Sequence, residues 1–293
     1  MRVRARTGVI GSLAPLVILL LLSLPAVAQN PKKDNYLRNM ALCSGADRAP
    51  TDARITGCTA LIDAHDDLST DALAVVYNNR GIAYAAKRDY DRAIGDFDQS
   101  IELNPSYARA FNNRGVVFLK KRDYDLATEA FNQAIRINPN YGQAFANRAE
   151  AYLKKNEYER AAQDYDRAIQ IEPKLDGVWN GRCWTRAILG ALKEALEDCN
   201  KVLQSGPGNA ATYDSRGLVY LKTGQLAAAI DDYSAALRID PKLASALHGR
   251  GLAKLKQGDK AGADSDIAAA RAIQRNIADD FERYGVKIEA PMR

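Results

Sequence analysis

Six arginines recur along the chain at one constant interval, and five aspartates keep the same interval. The arginines are Arg80, Arg114, Arg148, Arg182, Arg216 and Arg250. The aspartates, each at the same short distance beyond an arginine, are Asp96, Asp164, Asp198, Asp232 and Asp266. An unpaired guanidinium beside a buried face is costly, so this spacing predicts structural ion pairs rather than a row of free cations. Ala130 stands where the sixth aspartate would be, so Arg114 either uses another acceptor or is free for a ligand.

The residues that usually carry catalysis or bind a metal do not form a recognisable site. The sequence has no G-x-S-x-G, no phosphate-cradling glycine loop and no H-E-x-x-H, and its acids follow the repeat. The two histidines, His65 and His248, are far apart, and no C-x-x-C accompanies the four cysteines. We therefore predict a protein that is not an enzyme, with no cofactor and no metal. We expect His248 to be exposed.

The constant interval, the distance from Arg80 to Arg114, defines a repeated unit of two helices. Apolar or small side chains recur with the i, i+4, i+7 spacing of a helix face, as in Tyr77, Gly81 and Tyr84. Prolines at the same interval end each second helix, at Pro105, Pro139, Pro173, Pro207 and Pro241. Such self-similarity is typical of a solenoid, in which each unit buries its apolar face against its neighbours.

The predicted fold is an all-α, right-handed solenoid of stacked antiparallel helix pairs. Its six units span residues 74–277 and are 74–107, 108–141, 142–175, 176–209, 210–243 and 244–277. A divergent helix pair is expected at 29–73, and a cap and tail at 278–293.

The N-terminal segment 1–28 has the pattern of a secretory signal. Arg2, Arg4 and Arg6 precede an apolar run, and Ala26–Ala28 forms an A-x-A cleavage site. The apolar run is shorter than the roughly 20 residues of a spanning helix, so cleavage is favoured over retention as an anchor. We expect an exported, periplasmic protein without a membrane span. Removing these three arginines from 41 basic residues leaves 38 against 36 acidic ones, which gives no indication of nucleic-acid binding.

The four cysteines form two closely spaced pairs. Cys58 follows Cys43 at nearly the same distance along the chain as Cys199 follows Cys183. In the register of the repeat, both members of each pair fall where the two helices of one unit face each other. Of the three pairings that four cysteines allow, only the local one suits a solenoid, and an exported compartment permits disulfides. We predict the disulfides Cys43–Cys58 and Cys183–Cys199; a zinc site is the alternative.

The units resemble the tetratricopeptide repeat (TPR) family. Counting the first residue of a unit as position 1, that family has an aromatic residue near position 4, Gly or Ala at 8 and Tyr at 11. It has Ala at 20, an aromatic at 24, Ala at 27 and Pro at 32. Most of this pattern is kept over residues 74–243. The fourth unit departs from it at Cys183, Arg186, Cys199 and Val202. In the sixth, Arg275 replaces the proline, and we expect Phe281 and Tyr284 beyond it to cover the exposed end of the array.

The resemblance implies a concave surface lined by first-helix positions 2, 5, 6, 9 and 13. The candidate peptide-binding residues there are Asn78, Asn79, Arg109, Asn112, Asn113, Lys120, Gln143, Asn147, Lys154 and Trp184. Asn79, Asn113 and Asn147 repeat in register, and an amide both donates and accepts, as a peptide backbone requires. This resembles the asparagine ladder of the O-linked N-acetylglucosamine transferase superhelix. Asparagine is also a common surface residue in such repeats. Lysines at position 13, Lys222 among them, could pair with acidic groups of a ligand.

The resulting hypothesis is a protein-interaction scaffold of the bacterial cell envelope that holds an extended peptide or protein segment in its concave groove. The alternative is a structural assembly component that oligomerises or docks through its convex face or its ends. Both name a protein or peptide partner and no nucleic acid, and neither sets the oligomeric state.

Overall fold

The computed structural model describes residues 31–64, 68–175, 177–206 and 208–286. The predicted signal at 1–28, His65, Pro207 and the tail from residue 287 lie outside the described residues. Fifteen α-helices and a short 3-10 turn, Ala46–Arg48, make up the described chain, which contains no strand. The helices are α1 Pro31–Ser44, α2 Thr51–Asp63, α3 Thr70–Ala86, α4 Tyr90–Leu103, α5 Ala108–Lys121, α6 Tyr124–Ile137, α7 Gly142–Lys154, α8 Tyr158–Ile171, α9 Val178–Leu189, α10 Leu192–Gln204, α11 Ala210–Lys222, α12 Leu226–Ile239, α13 Ala244–Gln257, α14 Lys260–Ile273 and α15 Ile277–Arg283.

The first fourteen helices form seven consecutive pairs. Each odd-numbered helix packs on the even-numbered helix after it, and that helix packs on the next pair. From α3 to α13 the odd-numbered helices also contact one another, so they form a continuous inner layer. The prediction of an all-α solenoid of stacked helix pairs is confirmed.

Close contact between the two helices of a unit depends on a small residue at position 8. A Cβ atom added to Gly115 would lie 2.6 Å from the ring of Phe131, which is fully buried between the helices. Gly81 has the same relation to Phe97, at 2.8 Å. A side chain larger than glycine would therefore force the helices of these units apart.

The turn inside each unit has the same geometry in all six. Position 15 adopts a left-handed backbone conformation, with φ between 60° and 95°. Its occupants are Arg88, Arg122, Asn156, Gly190, Gly224 and Gly258. The three residues with a Cβ atom are strained there, so the packing of the helices sets this turn rather than the local sequence.

Both predicted disulfides are present. Cys43–Cys58 joins α1 to α2 and Cys183–Cys199 joins α9 to α10, with Cα–Cα distances of 4.6 and 5.5 Å. All four cysteines are buried. In α9 and α10 the bond takes the place of the glycine and aromatic ring that close other units.

Replacing Cys183 and Cys199 together by alanine is expected to lower the free energy of unfolding by about 3 kcal/mol, the chain-entropy value for a loop of this size. Urea unfolding followed by circular dichroism measures it. The matched double alanine variant at Cys43 and Cys58 should cost less, because it opens an end of the array. Reduction opens the same disulfides in the wild type, so a urea midpoint of the wild type that stays unchanged under reducing conditions would contradict this prediction.

The C-terminal helix packs on both helices of the last unit and extends from there over the inner layer. Residues 276–286, called the strap below, lie on the inner layer, where Phe281 packs on the ring of His248 at 4.8 Å between centroids. Tyr284 meets the ring of Trp184 at 5.2 Å, two units away from the last one. Phe281 and Tyr284, expected to cover the end of the array, also cover part of its inner face.

Candidate functional site

The inner layer forms a groove whose two halves differ. The first, called the N-terminal groove, is formed by α3, α5 and α7 and is open. The second, called the C-terminal groove, is formed by α9, α11 and α13 and contains the strap.

The arginine ladder beside the groove is structural. The five predicted pairs are all present, as Arg80–Asp96, Arg148–Asp164, Arg182–Asp198, Arg216–Asp232 and Arg250–Asp266. The guanidinium also donates to position 25 of the preceding unit, as Arg182 does to Asp166 at 2.7 Å. Arg114 donates in the same way to Asp98 at 2.6 Å, so it does have an acceptor. Each arginine thus ties two neighbouring helix pairs together; at Arg114 the buried Nε makes no hydrogen bond within the described residues.

A chain of hydrogen-bonded amides runs along the floor of the N-terminal groove. It crosses three units and consists, in the order of donation, of Gln143, Asn147, Asn112, Asn113, Asn78 and Asn79. The bonds between units join Asn147 to Asn112 at 2.9 Å and Asn113 to Asn78 at 2.8 Å. The sequence predicted that these side chains line up, and the structure brings them together. It also shows that they bond one another.

The amide chain leaves N–H donors for a ligand. Asn78 and Asn112 are 2% and 4% exposed, so their role is to hold the chain together. Asn79, Asn113 and Asn147 are half-buried, and each of their oxygens already accepts a bond. An amide nitrogen carries two hydrogens. Within the described part of the chain, at least one N–H of each of these three therefore has no acceptor.

Cations border the amide chain. Arg109, Lys120 and Lys154 are exposed on the first helices of the second and third units. Arg109 lies near the phenols of Tyr107 and Tyr141, whose pKa values are raised by burial although the guanidinium opposes the shift. The N-terminal groove therefore combines N–H donors with positive charge, which suits carbonyl and carboxylate oxygens.

Two residues predicted to meet a ligand are engaged by the strap. Trp184 is half-buried beneath the ring of Tyr284. Lys222 donates to three backbone carbonyls, those of Ala187, Ile188 and Tyr284, at 2.7, 3.1 and 2.6 Å. Burial lowers the pKa of Lys222. Of the lysines at position 13, Lys222 acts as a clamp on the strap.

Polar groups that sequence reasoning missed lie under the strap. His248 is fully buried, so the expectation of exposure is wrong. Burial lowers its pKa to about 4 and raises the pKa of Asp214 to about 7. The hydroxyl of Ser245 donates to Asp214 Oδ2 at 2.6 Å. Asp and His at position 5, where the first two units have asparagine, are the only sequence signal that marks this region.

Comparison with protein families identifies the repeat. Family models described as tetratricopeptide repeat match residues 78–142 and 142–175, and one described as TPR repeat matches residues 217–258. The chain is a tetratricopeptide repeat protein. Proteins of this family commonly mediate protein–protein interactions and bind peptides, and their fold is typically a non-enzymatic scaffold.

Several solved structures share this fold. A tetratricopeptide repeat protein from Parabacteroides merdae is 17% identical, with a TM-score of 0.62 over 86% of this chain and 100% of that one. The pilF protein of Pseudomonas aeruginosa is 18% identical, with a TM-score of 0.60 over 73% and 99%. The APC/C hetero-tetramer Cut9-Hcn1 gives 16% identity and a TM-score of 0.64 over 86% and 52%. Comparison with curated proteins gave no match.

Across the residues that the structure describes, every helix is too short or too polar to cross a membrane.

Proposed function

We propose that this TPR protein is a non-enzymatic scaffold that binds an extended segment of another protein in its N-terminal groove. The observation that supports this proposal most directly is the amide chain from Gln143 to Asn79, whose hydrogen bonds cross three units and leave an N–H group of Asn79, Asn113 and Asn147 without an acceptor within the described residues. Amides that are fixed by their neighbours pay little conformational entropy when they bind a ligand.

The spacing of these donors suits an extended backbone. Neighbouring first helices that contact each other lie about 8–10 Å apart, and an extended chain advances about 3.3 Å per residue. Asn79, Asn113 and Asn147 would therefore donate to the carbonyl of roughly every third residue of the ligand. Backbone recognition of this kind gives affinity with little demand on the ligand's side chains.

The border of cations adds a preference for acidic side chains. Arg109, Lys120 and Lys154 are exposed and lie at positions 2 and 13 on either side of the amide chain. An exposed charge pair is screened by salt, so its contribution to binding falls as ionic strength rises. The favoured ligand is an extended segment that contains Asp or Glu.

We further infer that the chain works outside the cytosol, in the periplasm of a bacterial cell envelope. Two buried disulfides and the signal-like pattern of residues 1–28 support this location, since structural disulfides are rare in the cytosol.

The proposal is tested with the triple variant Asn79→Ala, Asn113→Ala, Asn147→Ala. Peptides selected from a displayed random library against the wild-type chain are measured by fluorescence anisotropy. The variant is expected to lose at least tenfold in affinity, because each lost donor weakens binding by about 0.5–1.5 kcal/mol. Affinity for the same peptides should fall between 50 and 500 mM NaCl if acidic residues are selected.

A matched control removes three exposed amides from second helices, with Gln99→Ala, Gln163→Ala and Gln170→Ala. It should bind as the wild type does, with the same helicity and melting temperature. Equal affinity of the groove variant and the wild type would refute the proposal. A loss confined to the control variant would favour the convex face as the binding surface.

A further inference from the structure

The strap presents an amphipathic helix to the C-terminal groove. Its buried side chains Ile277 and Phe281 and its half-buried Tyr284 follow the i, i+4, i+7 spacing of one helix face. Asp279 and Glu282 on the other side are exposed. Helix-in-groove recognition between separate proteins uses the same arrangement of anchors.

The strap contacts first-helix positions that the TPR resemblance assigns to the concave surface. Phe281 packs on His248 at position 5 of the sixth unit, and Tyr284 on Trp184 at position 9 of the fourth. Lys222, at position 13 of the fifth unit, donates to the carbonyl of Tyr284. In its own chain the strap therefore takes the place of a ligand.

The strap leaves polar atoms of the groove floor without partners. Asp214 Oδ1, Asn180 Oδ1 and both ring nitrogens of His248 are buried and make no hydrogen bond within the described residues. Asp214 is 94% buried, since 6% of its surface is exposed. A permanent core would have apolar or fully bonded side chains at these places, because a buried polar atom without a partner is costly.

The fit between strap and groove is also incomplete. A cavity of about 710 Å³ remains beside the strap, and Asn180, Trp184, Asp214 and Tyr284 are among the residues that line it. The groove floor can therefore accept a ligand that fills more space and supplies hydrogen-bond donors. Sites that break the rules of core packing are often functional ones.

We propose that the strap is a reversible internal ligand, and that an amphipathic helix of a partner protein displaces it from the C-terminal groove. That helix carries apolar side chains at i, i+4 and i+7, as the strap does, together with donors that reach Asp214 and Asn180. This surface adjoins the N-terminal groove at α7, where Lys154 lines the same cavity, and it takes a helix instead of an extended segment.

The test uses the full chain and its own strap as the probe. In the variant Phe281→Asp the strap should leave the groove, because a carboxylate would otherwise replace a ring that is 1% exposed. A fluorescein-labelled peptide of residues 274–293 is then expected to bind this variant at least tenfold more tightly than the wild type. In the wild type, the attached strap competes at high effective concentration.

Two controls define the site. The full-length variant Glu282→Ala, changed at an exposed residue of the same helix, should bind the peptide as weakly as the wild type does. A labelled peptide that itself carries Phe281→Asp should not bind either chain. Equal binding of the peptide to wild type and to the Phe281→Asp variant, or no binding to a folded variant, would overturn the proposal.

Hydrogen exchange on the wild-type chain tests reversibility without any substitution. Amides of the strap should exchange at least tenfold faster than those of α11 and α13, because the strap opens while the array stays folded. Equal protection of strap and array would make the strap a fixed part of the core and overturn the proposal. None of these outcomes depends on Asn79, Asn113 or Asn147, so the two proposals fail independently.

Discussion

Asp198→Ala is expected to destabilise the array by about 3–5 kcal/mol, the cost of removing one partner from a buried ion pair. Asp198 is 4% exposed and accepts from Arg182 at 2.8 and 2.6 Å and from Arg186 at 2.9 Å. Its loss leaves two guanidinium groups without their buried acceptor. Chemical unfolding in urea, followed by circular dichroism, gives the change in unfolding free energy.

The matched comparison is Asp98→Ala, which removes an acceptor from the same ladder at an exposed position. Asp98 is 50% exposed and pairs with Arg114, so its loss should cost less than about 1 kcal/mol. Equal losses for the two variants would mean that burial does not set the strength of these pairs. If the urea midpoint of Asp198→Ala equals that of the wild type, water replaces the lost carboxylate as the acceptor for the guanidinium groups.

The contacts that the sequence predicts well are those with a fixed separation in every unit. Arginine and aspartate 16 residues apart, and the cysteine pairs at nearly the same distance, join the two helices of one unit. One periodic pattern therefore predicts the same contact several times over, and each copy supports the others. The solenoid follows from this agreement, because stacked units have no other way to bury their apolar faces.

The second partner of each arginine could not be predicted in the same way. Position 25 accepts a bond from the arginine of the following unit, yet its residue type changes from unit to unit, as in Asp98, Asn132 and Ser234. All three have an oxygen that can accept a hydrogen bond, so each unit provides an acceptor although the residue type differs. A search for one residue type repeated at a constant interval therefore misses this contact between units.

The sequence assigned five asparagines to a ligand, and the structure buries two of them, Asn78 and Asn112. Position 5 side chains, such as Asn78 and Asn112, reach across to position 6 of the following unit, 35 residues away. Helical spacing puts both positions on the same stripe, so it could not tell a buried amide from a half-buried one. Only the packing of neighbouring first helices decides which amides keep an N–H for a ligand.

The sequence predicts a cap at 278–293, but its path over the inner layer could not be predicted because the strap belongs to no repeat. Its ring contact between Trp184 and Tyr284 joins residues from the fourth unit and from beyond the sixth, and its helix has only seven residues. The burial of His248 and Asp214 was missed for the same reason, because it is the strap that lies over them. These two residues then make the stability of the closed state depend on pH in a way that the sequence does not suggest.

Asp214 and His248 are expected to change the unfolding free energy of the wild type in opposite directions as pH rises from about 4 to 6.5. Asp214 lowers it and His248 raises it. Burial raises the pKa of Asp214 to about 7, although the Ser245 hydroxyl opposes the shift. The stability from its protonated form is therefore complete below its ordinary pKa of 3.8 and is lost as pH rises through about 7. Burial, with a smaller effect of the Arg271 charge, lowers the pKa of His248 to about 4. The stability from neutral His248 is present above 6.5 and is lost as pH falls to about 4.

Removing one of the two groups should reveal its contribution as a difference from the wild type. In Asp214→Asn, stability relative to the wild type should rise by about 3 kcal/mol from pH 4 to 7, at about 1.36 kcal/mol for each pH unit over which the wild type loses the contribution of protonated Asp214. In His248→Leu it should fall by about 3 kcal/mol from pH 4 to 6.5, because only the wild type gains the contribution of neutral His248. Melting temperatures measured at half-unit steps of pH for the three chains check both slopes. The ion-paired carboxylates are common to all three, so their acid loss cancels in the differences. Parallel curves would show that water reaches both side chains beneath the strap, and that the closed groove does not penalise their charged forms.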